Sequence, residues 1–158
     1  MESSSRTQKW HRTLELAAKV GSQSMRILVD SGSTGNYIDA RECAVRKLQI
    51  QNNEAAEELR LADGSTVKTE GRVQVHVKFG EYRGTIYARV FPRMNKQMIL
   101  EIPWLSRENP HIDWAQGAIT LQHGQRWISL PLAKPLQRTS ESEEAYLDYL
   151  ISKTNCSC

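Results

Sequence analysis

The sequence predicts a mostly β fold in one domain, with two or three short helices. Residues 72–79 alternate apolar and polar side chains, as a half-buried strand does. Asp63-Gly64 lies between two further strand-like runs, and Asp-Gly at such a place indicates a hairpin. The remaining apolar runs are short and are separated by glycine or proline, and no repeat of solenoid length is visible in the 158 residues.

The first elements form a hairpin that leads to Asp30. Residues 14–20 and 25–29 read as strands, and the Gly21-to-Ser24 stretch between them reads as a turn. Residues 39–48 have small and apolar side chains near helical spacing and predict a short helix, with Asp39 as its N-cap. Cys43 in this helix is interpreted as a small core residue rather than a nucleophile, because no histidine lies nearby in sequence.

A second hairpin and a long strand occupy the middle of the chain. Residues 57–61 and 66–69 predict two strands, joined by a turn at Ala62, Asp63, Gly64 and Ser65. In the run 72–79, Val73, Val75, Val77 and Phe79 share the buried face, and His76 lies on the polar face. A turn at 80–83 then leads into a strand at 84–91.

The last part of the domain alternates short strands with one helix. Residues 98–100 predict a buried strand, and Pro103 begins a short helix that ends at Glu108. Runs 111–114, 118–121 and 127–130 predict three more strands. We expect a disordered lead-in at 1–11, a folded domain at 12–132, and a polar linker with a short helix at 133–158. This tail is expected to be dispensable, because its helix is too short to be stable alone.

Composition argues against several classes of function. The net charge of +3, from 21 basic and 18 acidic residues without a basic cluster, is too mild to indicate nucleic-acid binding. No apolar run is long enough for a membrane span, and the polar N-terminus lacks the apolar core of a signal peptide. Three cysteines, an odd number, fit a reducing compartment, so we expect a cytoplasmic protein.

The most informative stretch surrounds Asp30. An apolar run ends at this carboxylate, and burial at a strand end would disfavour its charged form. The following Ser31, Gly32, Ser33 and Thr34 supply hydroxyls and a flexible backbone that would offset this cost. An Asx turn at a strand end is the simpler interpretation of Asp-Ser-Gly alone.

Two ordered motifs extend the pattern. Val29-Asp-Ser-Gly-Ser-Thr-Gly-Asn-Tyr-Ile-Asp39 resembles the active-site motif of retropepsin-like aspartic proteases, with greatest similarity to the protease of gypsy-type LTR retrotransposon polyproteins. A second match lies about seventy residues on: Met98-Ile-Leu-Glu-Ile-Pro-Trp-Leu105, followed by Asn109-Pro-His-Ile-Asp-Trp114, resembles the family's I-L-G-x-x-W-L followed by N-P-x-I-D-W. The resemblance covers roughly residues 12–132, and two correctly spaced matches are more specific than either alone.

The resemblance implies a fold and a set of site residues. It implies a single-lobe acid protease fold with closed, barrel-like sheets, working as a homodimer on a polypeptide substrate without metal or cofactor. Asp30 of each chain would be catalytic, Ser31 would hydrogen-bond the partner loop, and Gly32, Ser33 and Thr34 would complete the active-site loop. The hairpin tip at 62–65 would be the mobile flap, although an ordinary surface hairpin fits its sequence equally well. Ile99, Leu100 and Glu101 would lie behind the site.

Glu101 departs from this family pattern, which has glycine at the matching position. A glutamate there would extend into solvent or bury a charge near Asp30, and its backbone would be strained if the glycine conformation had φ > 0. Two hypotheses therefore stay open: an active dimeric endopeptidase that processes a retrotransposon polyprotein, and an inactive retropepsin-like module retained for dimerisation or protein binding. Asp113 is followed by tryptophan instead of Ser-Gly, which argues against a second catalytic aspartate within the chain.

Overall fold

The computed structural model describes residues 13–32, 35–52, 57–61 and 63–134. The predicted lead-in at 1–11 and most of the predicted tail, from residue 135 onward, lie outside the described residues. The 12–132 domain boundaries therefore stay a prediction.

Six strands close into a barrel, in the order β1-β2-β8-β3-β7-β6. The barrel strands are β1 (Leu14–Val20), β2 (Gln23–Val29), β3 (Tyr37–Asp39), β6 (Arg72–Phe79), β7 (Tyr82–Phe91) and β8 (Met98–Leu100). In the sequence between β3 and β6, β4 (Glu58–Arg60) and β5 (Thr66–Lys68) form a separate two-stranded sheet. A three-stranded sheet of β9 (His111–Asp113), β10 (Ala118–His123) and β11 (Arg126–Ser129) follows the barrel. These elements confirm the mostly β fold.

The local hairpins follow directly from the sequence pattern. β6 has the alternating burial that its sequence predicts, and it pairs along its whole length with β7. The turn between them is tight, with Gly80 at φ +58°, so β7 begins at Tyr82 rather than at the predicted Gly84. The β1–β2 hairpin is confirmed as well, with Leu14 opposite Val29.

The non-local pairings bring the two sequence motifs together. β2 and β8 run parallel, with Val29 opposite Leu100, although about seventy residues separate them. β3 pairs with β8 on the other side, antiparallel, and with β7 in parallel. The end of β2 and the end of β8 therefore meet at the same edge of the barrel, behind Asp30.

Apolar side chains from every barrel strand fill the interior, and Trp104 belongs to the same buried core. The Trp104 ring packs edge-on against Phe79 at a centroid distance of 6.2 Å, and Phe79 stacks on Tyr82 at 5.6 Å. The largest fully buried side chains are Trp104, Phe79, Leu16, Met25, Ile27, Ile38, Ile86, Met98, Leu100, Ile119, Leu121 and Val75. Cys43 is buried in the same core, which confirms its interpretation as a packing residue.

The two helices are α1 (Ala40–Val45) and α2 (Ile102–Glu108). α1 is shorter than the predicted 39–48, because Lys47 takes a left-handed φ of 55° that ends the helix. Asp39 is its N-cap residue but makes no side-chain cap; its carboxylate instead accepts hydrogen bonds from Arg41 Nε and the Met94 N–H. α2 has proline in its first turn as predicted.

Candidate active site

Asp30 lies immediately after β2, and its side chain is exposed. Its backbone N–H donates to the Leu100 carbonyl oxygen at 2.9 Å, which continues the β2–β8 ladder by one residue. The strand end therefore fixes the Asp30 backbone while the carboxylate stays accessible to solvent. Leu100 is fully buried and Ile99 half-buried, so these two predicted residues form the wall behind the loop.

Gly32 folds the loop back over the carboxylate. Its N–H donates to Asp30 Oδ1 at 3.0 Å, and a Cβ at this position would lie 3.2 Å from the same oxygen. Most side chains would therefore push against the carboxylate, whereas glycine permits the close approach. This contact gives Asp30 the Asx-type geometry that its sequence predicted. Ser31 is exposed, and Ser33 and Thr34 lie outside the described residues.

Asn36 joins the active-site loop to two neighbouring elements. Its Oδ1 accepts the N–H of Glu101 at 2.9 Å, and its Nδ2 donates to the Tyr87 carbonyl at 3.3 Å. Its own carbonyl accepts the N–H of Arg89 at 2.9 Å. Asn36 is buried, so these bonds hold the end of the loop against β7 and the start of α2. Sequence reasoning missed this role; the only signal was an amide placed directly before a buried strand.

Glu101 is the N-cap residue of α2, and only 4 % of it is exposed. The expectation of a solvent-facing glutamate is therefore wrong. The expectation of backbone strain is also wrong, because φ is −125°, an extended conformation that any residue adopts. What holds is the second expectation: an acidic residue is buried where β8 ends, one residue beyond the Leu100 that pairs with Asp30.

The predicted flap is a hairpin with an ordered tip. Gly64 takes φ +87°, and Asp63 Oδ1 accepts the Ser65 N–H at 2.9 Å and the Ser65 hydroxyl at 2.5 Å. The base of the hairpin is attached to the barrel by Glu57, whose carboxylate pairs with Arg72 and Arg89 at 2.8 Å each. Ala62 lies outside the described residues. The assignment of this tip to substrate binding stays a prediction.

Cys43 is unsuited to nucleophilic chemistry. Burial raises the pKa of its thiol to about 11, with further contributions from the nearby carboxylates of Asp39, Glu42 and Glu70. The thiolate is therefore scarce at neutral pH. No helix within the described parts of the chain is long and apolar enough to cross a membrane.

A closed barrel with parallel β2 and β8, and a D-S-G loop at their shared end, defines the retropepsin-like class. Within this class, the chain belongs to the family described as the PEG10/RTL1 protease domain, whose model matches residues 26–126. The matched range includes the Asp30 loop, the hairpin and α2. The resemblance seen in the sequence is thus confirmed at the level of retropepsin-like proteases.

The chain is similar to several solved structures at low sequence identity. The retroviral protease-like domain of Ddi1 from Leishmania major aligns with a TM-score of 0.59 at 15% identity, over 77% of this chain and 94% of that one. EIAV protease complexed with the inhibitor HBY-793 gives a TM-score of 0.47 at 14% identity, over 63% of this chain and 89% of that one. A retropepsin-like aspartic protease from Rickettsia conorii gives 0.45 at 13% identity, over 63% and 75%.

Proposed function

We propose that the chain is an aspartic endopeptidase that acts as a homodimer. The observation that carries the proposal is Asp30: an exposed carboxylate, held at the end of a buried strand by the Leu100 carbonyl and bonded to the Gly32 N–H. A purely structural Asx turn would explain the Gly32 contact. It would not explain why this loop lies in a chain that a retropepsin-like protease family model matches over residues 26–126.

The dimer follows from the number of aspartates that one chain supplies. Only one Asp-Ser-Gly occurs in the sequence. The other strand-end aspartate in a matched motif, Asp113, lies in the three-stranded sheet and accepts the Gln116 N–H at 3.0 Å, as a turn residue does. A second carboxylate for the site therefore comes from Asp30 of another copy.

Two such carboxylates facing each other share one proton, because both cannot ionise at close range. The ionised member removes a proton from a water molecule, whose oxygen attacks the peptide carbonyl carbon. The protonated member donates to the carbonyl oxygen, which becomes a hydroxyl of the tetrahedral intermediate. Collapse of the intermediate breaks the C–N bond and delivers a proton to the leaving amine, so the products are a carboxylic acid and an amine.

The substrate in this proposal is an extended segment of a polyprotein, cleaved inside the cell or within a retrotransposon-derived particle. The hairpin tip at Asp63 and Gly64 would close over the bound segment as a flap. Glu57 is compatible with this arrangement, because its two arginine contacts attach the hairpin base to the barrel and do not involve the tip.

Incubation with a polyprotein substrate, with and without pepstatin, tests this function. We expect cleavage that pepstatin abolishes and that rises faster than linearly with enzyme at low concentration. Analytical ultracentrifugation of the same samples reports the assembly. An active monomer at the assay concentration would contradict the shared-site mechanism, even if cleavage were pepstatin-sensitive.

A second candidate function rests on the burial of Glu101. Glu101 is buried one residue beyond the Leu100 that accepts the Asp30 N–H, and an ionised carboxylate there would add negative charge near the proposed pair. If that charge disables the pair, the chain serves as a dimerisation or protein-binding module. A protein that dimerises, binds peptide and yields no cleavage with any polyprotein segment would support this alternative.

A further inference from the structure

Three basic side chains lie in one row across the barrel seam. In the β-sheet register, Lys19 of β1 is directly opposite Lys78 of β6, and Lys78 is directly opposite Arg83 of β7. Directly opposite residues project from the same face, and like charges in that arrangement are destabilising. All three side chains are exposed, and among the described residues no carboxylate makes a salt bridge with any of them. We call these three residues the basic row.

The basic row lies between two grooves that share Lys19 and Lys78. One groove, of about 650 Å³, is lined further by Arg26, Pro131 and Lys134. The other, of about 410 Å³, is lined further by Arg83 and His76. Ser24, which also lines the larger groove, is near the start of β2, whereas Asp30 follows its end. At about 3.3 Å per residue, the basic row lies on the order of 20 Å from Asp30 along the strand.

The described part of the chain ends at the rim of the larger groove. The Lys134 carbonyl accepts a hydrogen bond from Arg26 Nη1 at 2.7 Å, and the Ala133 N–H donates to the Glu15 carbonyl at 2.8 Å. These contacts fix the point from which the rest of the chain departs. That point and the basic row are parts of one surface.

The sequence beyond this point has the complementary charge. Glu141, Glu143, Glu144 and Asp148 lie within eight residues, and no lysine or arginine occurs between Arg138 and Lys153. Glu141 is seven positions beyond Lys134 in the sequence, which gives a reach of up to about 25 Å. The basic row spans two strand spacings, roughly 10 Å. The acidic stretch is therefore long enough, and tethered closely enough, to cover it.

We propose that the acidic segment 141–148 of the same chain docks on the basic row formed by Lys19, Lys78 and Arg83. Its carboxylates neutralise the like charges that the sheet register brings together. A tethered segment has the advantage over a free anion, because a short linker gives an effective concentration on the order of millimolar. An external polyanion would compete for the same surface.

Zero-length carbodiimide cross-linking of the full chain tests the proposal, since it joins lysine amines only to carboxylates in contact with them. An equimolar mixture of ¹⁴N- and ¹⁵N-labelled protein distinguishes cross-links within a chain from those between chains. We expect Lys19 and Lys78 to link to Glu141, Glu143 or Glu144 of the same chain. The yield of links from Lys19 and Lys78 to these glutamates should be about tenfold above the yield of links from exposed Lys68, the matched control, to the same glutamates. It should fall severalfold between about 20 and about 500 mM salt as screening increases.

A second measurement keeps the test independent of cross-linking chemistry. Replacing Glu141, Glu143 and Glu144 with Gln in the full chain should expose the basic row, so the variant should elute from heparin at higher salt than the parent. Adding Lys78→Ala should reverse that gain, whereas adding Lys68→Ala should not. Equal yields for Lys68 and Lys78, links only between chains, or unchanged heparin retention in the triple Gln variant would overturn the proposal.

Discussion

Replacing Asn36 with alanine should destabilise the fold, because its buried side chain makes two hydrogen bonds. The truncation removes the acceptor of the Glu101 N–H, now at 2.9 Å, and the donor to the Tyr87 carbonyl, now at 3.3 Å. Leaving a buried polar group unsatisfied costs about 1–3 kcal/mol. The bond to Glu101 is buried and the bond to Tyr87 is part-buried, so losing both should lower the free energy of unfolding by about 2–4 kcal/mol.

Thermal and urea unfolding at one fixed protein concentration would measure this loss. A domain of this size shifts its Tm by roughly 3–4 °C per kcal/mol, so we expect a fall of roughly 6–16 °C. Asn95→Ala is the matched control, because Asn95 is exposed and should change stability by less than about 0.5 kcal/mol. If Asn36→Ala were as stable as Asn95→Ala, Asn36 would not hold the loop, and its role as a positioning residue would be refuted.

Three further predictions concern buried titratable groups. Burial opposes ionisation of Glu15, but hydrogen bonds from Lys96 and Arg26 outweigh this effect and lower its pKa below the usual 4.5. The Glu15→Gln protein should therefore be less stable than the parent at pH 7. This difference in stability should disappear as the pH falls through the lowered pKa. A difference in stability that did not narrow as the pH was lowered would contradict this linkage. Because the pKa of the Cys43 thiol is raised to about 11, Cys43 should resist iodoacetamide at pH 7.4 in the native protein and should react in urea. Peptide mapping measures both reactions. Rapid labelling of Cys43 in the native protein would contradict its burial. We expect Glu101→Gly to raise kcat/KM for cleavage. The isosteric Glu101→Gln should reproduce this gain if the charge of Glu101 is the cause. Unchanged kinetics in an active protein would mean that the buried side chain does not impair the site.

Much of the barrel was predictable because its strands carry local patterns. β6 alternates so regularly that its buried face could be read residue by residue. Outside the barrel, the Asp63-Gly64 turn identified the β4–β5 hairpin in the same way. The parallel pairing of β2 with β8 was not predictable from periodicity, since it joins segments far apart in sequence. Only the resemblance of both segments to one family suggested that they meet.

The site was predicted less completely than the fold. Asp30 and Gly32 follow from the motif, and the structure joins them by a hydrogen bond. The Asn36 bridge could not be predicted, because its partners are backbone groups of β7 and α2 that only the tertiary fold brings near. Asp39 was expected to cap α1, but Arg41 and the Met94 N–H compete for its carboxylate. A backbone with φ > 0 would have been strained at Glu101, but the observed backbone is extended and needs no glycine.

Cleavage of a polyprotein substrate by Asp30→Asn protein, beside parent and Asp113→Asn, tests the proposed mechanism most directly. The substitution removes the shared proton and the ionised base but almost no volume, so the barrel and its oligomeric state should persist. Asp113→Asn is the matched control: its oxygen can still accept the Gln116 N–H, and it has no place in the proposed site. We predict that the parent and Asp113→Asn cleave and that Asp30→Asn does not. Cleavage by a verified Asp30→Asn protein at the parental rate would contradict the aspartic mechanism.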